Sequence, residues 1–169
     1  MCDARRLIEA FKARSAAPVR AKIDTLLALE LVRDPCIQPF LVGVLLDRRE
    51  PTPVRVYVLK RLRNANPTPD CRPAIAGAIL RVLSDPSNTE LRVQAALALA
   101  VFVDIDGVVG ALGRLALEWD QPLDLRYSAF TSMQRAGPVS ECVASLRQLL
   151  EDEALGRSAR SVLTSWRLD

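Results

Sequence analysis

Apolar residues recur at helical spacing along nearly the whole chain, and the polar stretches that interrupt them carry proline. Four segments open on an aliphatic residue followed by arginine: "VRAKIDTLLAL" from Val19, "VRVYVLKRLRN" from Val54, "LRVQAALALAV" from Leu91 and "LRYSAFTSMQR" from Leu125. Their arginines, Arg20, Arg55, Arg92 and Arg126, stand 35, 37 and 34 residues apart. Three residues beyond each lies Ile23, Val58, Ala95 or Ala129, and seven beyond lies Leu27, Leu62, Leu99 or Met133. Offsets of three and seven share one helix face, so each segment is expected to form an amphipathic helix that buries the same stripe. A fifth copy begins at Leu155, with Gly156 in the arginine's place and Ala159 and Leu163 at the two apolar offsets.

A second set of helices is expected between these: "CIQPFLVGVLLD" from Cys36, "CRPAIAGAILRVLSD" from Cys71, "DGVVGALGRLALEWD" from Asp106 and "VSECVASLRQLLED" from Val139. Gly43, Gly77 and Gly110 fall 34 and 33 residues apart within them, so the period is a pair of helices. Prolines mark the turns ("RDPCIQP", "REPTP", "NPTPD", "SDPSN", "DQP", "AGPVS"), where a fixed φ and a missing N–H do no harm. Asp106 is placed to cap the helix that begins near Gly107. Trp119 falls on the apolar stripe of Val108, Leu112 and Leu115 and is expected in the core.

Composition supports an all-α chain. Of 169 residues half are hydrophobic but only 5% aromatic, so the core is built from small and aliphatic side chains. The net charge of +3 is the difference of 23 basic and 20 acidic residues and is too mild to mark a nucleic-acid binder. Only Lys12, Lys22 and Lys60 are lysines, and the arginine excess offers planar forks for carboxylates or phosphates. Cys2, Cys36, Cys71 and Cys142 are scattered singly and there is no histidine, so no metal site is expected, Asp104 and Asp106 of "VDIDG" included. Neither a nucleophile motif nor a phosphate loop occurs, and no cofactor or catalytic set is expected. The longest apolar run, Ala95 to Val103, is too short for a bilayer and the N-terminus mixes charge into its apolar residues, so the expectation is a cytoplasmic protein without a membrane partner.

A two-helix unit of roughly 30–40 residues with an aliphatic-arginine start resembles the HEAT repeat. Its alanine-rich form in "LRVQAALALA" is similar to the bacterial HEAT-like repeats of phycobilisome lyase-type proteins. The resemblance implies a right-handed α-solenoid, an α-α superhelix, of about four and a half helix pairs in a single domain over 1–169. Its parts are a half-repeat over 3–15, repeats over about 17–50, 51–87, 88–121 and 122–153, and a cap helix over 155–168.

The arginine column from Arg20 to Arg126 is read as structural, with partners in the acids of the preceding turns: Asp47 and Glu50 before Arg55, Asp85 before Arg92, Asp120 and Asp124 before Arg126. Candidate binding residues lie on the second helices, which line the concave groove in solenoids of this type. Directing Ile75, Ile79 and Val82 inward turns Gly77 and Arg81 outward, and Val108, Leu112 and Leu115 likewise expose Gly110 and Arg114. Arg147 lies 33 residues beyond Arg114, but the stripe of Cys142, Leu146 and Leu149 brings Gln148 nearer the matching position, so the row either ends at Arg114 or includes these two; the alternative is that Gly43, Gly77 and Gly110 only let neighbouring helices pack closely and the arginines are solvated. The function expected is a non-catalytic scaffold or adaptor that binds a protein or an acidic peptide, with a homodimer open to it. The alternatives are a nucleic-acid binder, or an enzyme subunit related to the lyases or DNA glycosylases of HEAT-like fold.

Overall fold

Residues that restrict the backbone stand at the helix starts. Pro18, Pro51 and Pro122 precede three helices at φ −54°, −57° and −52° with ψ 145°, 142° and 135°, the extended backbone of a residue that stands just outside a helix and whose missing N–H the helix does not need. Asn88 precedes a fourth, and its side chain accepts the Leu91 amide at 3.0 Å, which satisfies one of the donors a helix start leaves open. In the computed structural model residues 3–13, 17–65 and 67–168 are described, and among them are ten α-helices and no strand. Cys2, the last two residues of the half-repeat expected over 3–15, and Asn66 lie outside the described residues.

The helices are α1 (Asp3–Ala13), α2 (Val19–Glu30), α3 (Ile37–Leu46), α4 (Thr52–Asn64), α5 (Arg72–Leu83), α6 (Thr89–Leu99), α7 (Val108–Leu117), α8 (Leu123–Met133), α9 (Ser140–Gln148) and α10 (Gly156–Ser165). None of them is long and apolar enough to cross a membrane. They divide into two compact units, Met1–Cys71 with α1 to α4 and Arg72–Asp169 with α5 to α10.

In the first unit α1 packs on α2 and α3 on α4, while α2 meets α4 and α1 meets α3. In the second, α5 packs on α6, α7 on α8 and α9 on α10, with α6 against α8 and α7 against both α5 and α9. Each unit therefore has a row of odd-numbered and a row of even-numbered helices. The packed hairpins are offset by one helix from the repeats grouped in the sequence, because the short turns at 47–51, 84–88 and 118–122 hold neighbours together. Leu26, Leu29, Leu59 and Leu62 fill the first core; Ile79, Leu99, Phe102, Leu112 and Leu125 fill the second.

Two local expectations are corrected. Gly107, not Asp106, is the residue before α7; it takes φ 78°, ψ −11°, and no side chain caps the helix. The Val108 amide bonds the Ile105 carbonyl at 3.2 Å instead, in a turn whose left-handed residue suits glycine. Trp119 is 82% exposed. α7 ends at Leu117, where Glu118 bonds back to Arg114 and leaves the helix at ψ 86°, so Trp119 is carried off the stripe that its spacing suggested.

Candidate binding site

The recurrent basic residue sits at one position of the even-numbered helices. Arg55, Arg92 and Arg126 are each the fourth residue of their helix, and their amides donate to Pro51, Asn88 and Pro122 at 3.2, 3.1 and 3.1 Å. In α2 that position belongs to Lys22, whose amide donates to Pro18 at 3.3 Å, and in α10 the same bond runs from Gly156 to Asp152 at 2.9 Å. Arg20 is exposed two residues earlier. The register follows suit: Thr25 and Leu29, three and seven beyond Lys22, are buried, whereas Leu27 is 46% exposed. Matching the "VR" dipeptide shifts the first repeat by two residues, because the fold requires a long basic side chain at this place and lysine also meets the requirement.

The basic side chains point inward and tie turns together. The Nε–H of Arg55, Arg92 and Arg126 donates to the carbonyl of Leu45, Leu83 and Ala116 at 2.8, 2.9 and 2.9 Å, each near the end of the preceding helix. These last-turn carbonyls have no partner inside their own helix, and the arginine supplies one. The far ends reach forward. Arg92 donates to Gln121 at 2.7 Å, Arg126 pairs with Asp152, and Lys22 pairs with Glu50 at 2.7 Å. The acceptor thus comes from the turn that leads into the next even-numbered helix, not from the turn before the basic residue itself: Asp152 serves Arg126 where Asp120 and Asp124 were expected, and Glu50 serves Lys22.

Gly156 completes the column by steric need. A Cβ there would lie 2.5 Å from the Leu150 carbonyl and 3.1 Å from that of Leu149, because α9 and its trailing 3₁₀ turn end against the start of α10.

The second-helix candidates are on the odd-numbered row of the second unit. Arg81, Arg114 and Arg147 are exposed, each in the last turn of α5, α7 and α9, where the helix dipole favours a cation. Among the described residues none of the three makes an ion pair. Gln148 is exposed beside them and its amide approaches the Ala144 carbonyl at 3.5 Å. The two glycines differ. A Cβ on Gly77 would meet nothing within 4 Å, whereas one on Gly110 would lie 2.3 Å from Glu141 Oε1. Gly110 is buried, and with Gly113 beneath Ser145 it lets α9 lie close on α7.

Three features were missed by sequence reasoning. In the first unit a cavity of about 910 Å³ opens between α1 and α3, lined by Ile8, Phe11, Phe40 and Val44 and also by the paired Lys22 and Glu50. Phe11 meets Phe40 edge-on with ring centres 5.3 Å apart, and the Lys22 ammonium stands 5.4 Å from the Phe11 centroid. In the second unit Arg72 stacks 5.0 Å over Phe102, donates to the Val101 carbonyl at 2.7 Å and pairs with Asp104, which fastens the long turn between α6 and α7. Trp119, Leu123 and Tyr127 are exposed together at the turn into α8. A spacing of four between Leu123 and Tyr127 was the available signal for a second apolar stripe on that helix.

No protein-family model, no curated protein and no solved structure matches this chain.

Proposed function

We propose that the chain is a non-catalytic HEAT-like scaffold, a right-handed α-solenoid of helix pairs that binds a protein or acidic peptide along its second helices. The observation that carries this reading is the set Arg81, Arg114 and Arg147, exposed on three neighbouring odd-numbered helices and without ion pairs among the described residues. The recurrent basic residues of the even-numbered helices, Lys22, Arg55, Arg92 and Arg126, are buried and bonded to carbonyls and turn residues, and so are unavailable to a partner. A guanidinium at a helix C-terminus carries its charge into solvent at little structural cost, and a carboxylate-bearing partner would meet several planar forks at once. Gln148 adds a neutral donor to the same row, and Gly77 leaves space beside it.

The test is an affinity purification with the wild-type chain and with Arg81→Glu combined with Arg114→Glu, the helical circular-dichroism signal being retained. Partners captured by the wild type are expected to be lost from the double variant; unchanged capture sinks the assignment. Recovery of nucleic acid, with affinity falling steeply as salt rises, would replace the protein partner by the alternative.

A further inference from the structure

The turn into α8 presents an apolar surface that no other part of the second unit covers. Trp119 is 82% exposed, Leu123 53% and Tyr127 51%, and the last two are one helical turn apart on the same face. The turn is held from within. Gln121 accepts the Arg92 guanidinium at 2.7 Å, so the chain that carries Trp119 is already fixed, and an occupant need not order it. Tyr127 continues the surface to one lip of a groove of about 410 Å³ between α8 and α10, where Arg157 is the basic lining residue.

Charge identifies the kind of occupant. Glu118, Asp120 and Asp124 surround Trp119 and Leu123 in sequence; all three are exposed, and none makes an ion pair among the described residues. Carboxylates at that density repel nucleic acid and anionic lipid and attract a cation. Exposed tryptophan and tyrosine beside an aliphatic residue are the side chains that dominate protein interfaces.

We propose that this surface docks an amphipathic helical segment of a partner protein, its apolar face on Trp119, Leu123 and Tyr127 and its lysine or arginine residues on Glu118, Asp120 and Asp124. The site is on the even-numbered row and has the opposite sign to the arginine row on α5, α7 and α9. It does not depend on that row's being a binding surface.

The test uses the full chain with Trp166→Phe, which leaves Trp119 as its single tryptophan. It is titrated with two synthetic helical peptides that share one leucine face and carry either lysine or glutamate on the other. The lysine peptide is expected to shift Trp119 emission to the blue, and to bind less tightly as salt is raised. Asp120→Asn with Asp124→Asn, and separately Leu123→Ala with Tyr127→Ala, are each expected to weaken it about tenfold or more. Arg81→Gln with Arg114→Gln is expected to leave it unchanged, which separates this surface from the second-helix row. A missing response to the lysine peptide, or an equal response to the glutamate peptide, overturns the proposal. So does sedimentation showing that the chain self-associates and that Trp119→Ser dissolves the association, since the occupant would then be a second copy.

Discussion

The guanidinium of Arg126 donates its Nε–H to the carbonyl of Ala116 at 2.9 Å, ten residues back along the chain. Its terminal nitrogen reaches forward to Asp152, so one side chain joins the end of α7, the start of α8 and the approach to α10. Arg55 and Arg92 make the same backward bond, to Leu45 and Leu83. A repeat whose helices share buried stripes can slide; a fork that must meet a particular carbonyl cannot, and this is the physical use of the recurrent arginine.

The register of the first repeat can be tested by mutation. Lys22 is 2% exposed and paired with Glu50, whereas Arg20 is on the surface. Glu50→Ala is expected to destabilise the chain by about 3 kcal/mol, because it strands a buried ammonium. Arg20→Ala is expected to fall within about 0.5 kcal/mol of wild type. Urea midpoints of the two variants check the difference, and equal effects would restore Arg20 to the column.

Asp152 makes stability depend on acid pH. Burial is the strongest single influence and raises its pKa; the Leu155 amide, the Arg126 guanidinium and the Ala154 amide together outweigh it, so the carboxyl lies below its ordinary 3.8. A group whose folded pKa is depressed contributes stability above the unfolded value and loses it as pH falls through the folded one. Urea midpoints are therefore expected to fall as pH drops below about 4. In Asp152→Asn that part of the fall is absent, and the variant is about 2 kcal/mol less stable at neutral pH. A wild-type slope retained in the variant would remove Asp152 from this role.

Glycines that look alike in the sequence are expected to respond oppositely to alanine. At Gly156 the new methyl meets main-chain carbonyls that cannot step aside, and Gly156→Ala is expected to cost about 1–3 kcal/mol. At Gly77 it enters open space on a helix, and Gly77→Ala is expected to gain about 0.5–1 kcal/mol from backbone entropy. Thermal midpoints decide, and a stabilised Gly156→Ala would show that α9 and α10 are not in close contact.

The thiols should differ in reactivity. Burial pushes Cys142 up to about 11, and its sulfur approaches the Met133 carbonyl at 3.5 Å. The thiolate is the reactive form, so Cys142 is expected to be labelled by a maleimide only when α9 detaches from α7 and α10. Cys36 and Cys71 are half-buried and are expected to react before Cys142. Peptide mapping over time checks the order, and early labelling of Cys142 would contradict its burial.

Periodicity made the helices readable. Val58, Leu62, Ala95, Leu99, Ala129, Met133, Ala159 and Leu163 occupy the two apolar offsets and are all buried. The exposure of Arg81 and Arg114 follows from the same arithmetic on the odd-numbered helices. Where a helix ends is a different matter. Trp119 lies in phase with α7 and is exposed because Glu118, at ψ 86°, turns the chain away from the helix just before it.

What the sequence by itself determined is the all-α class, the alternation of two helix sets and the stripe each buries, because these follow from local spacing at 100° per residue. What only the tertiary structure decided is which turn partners which basic side chain, that Lys22 replaces Arg20, that Gly110 is covered by Glu141, and that Trp119 stands in solvent. The first three depend on carbonyls and side chains nine to thirty-one residues away, whose positions are set by how helices stack, and the last on where α7 ends, neither of which the apolar period encodes.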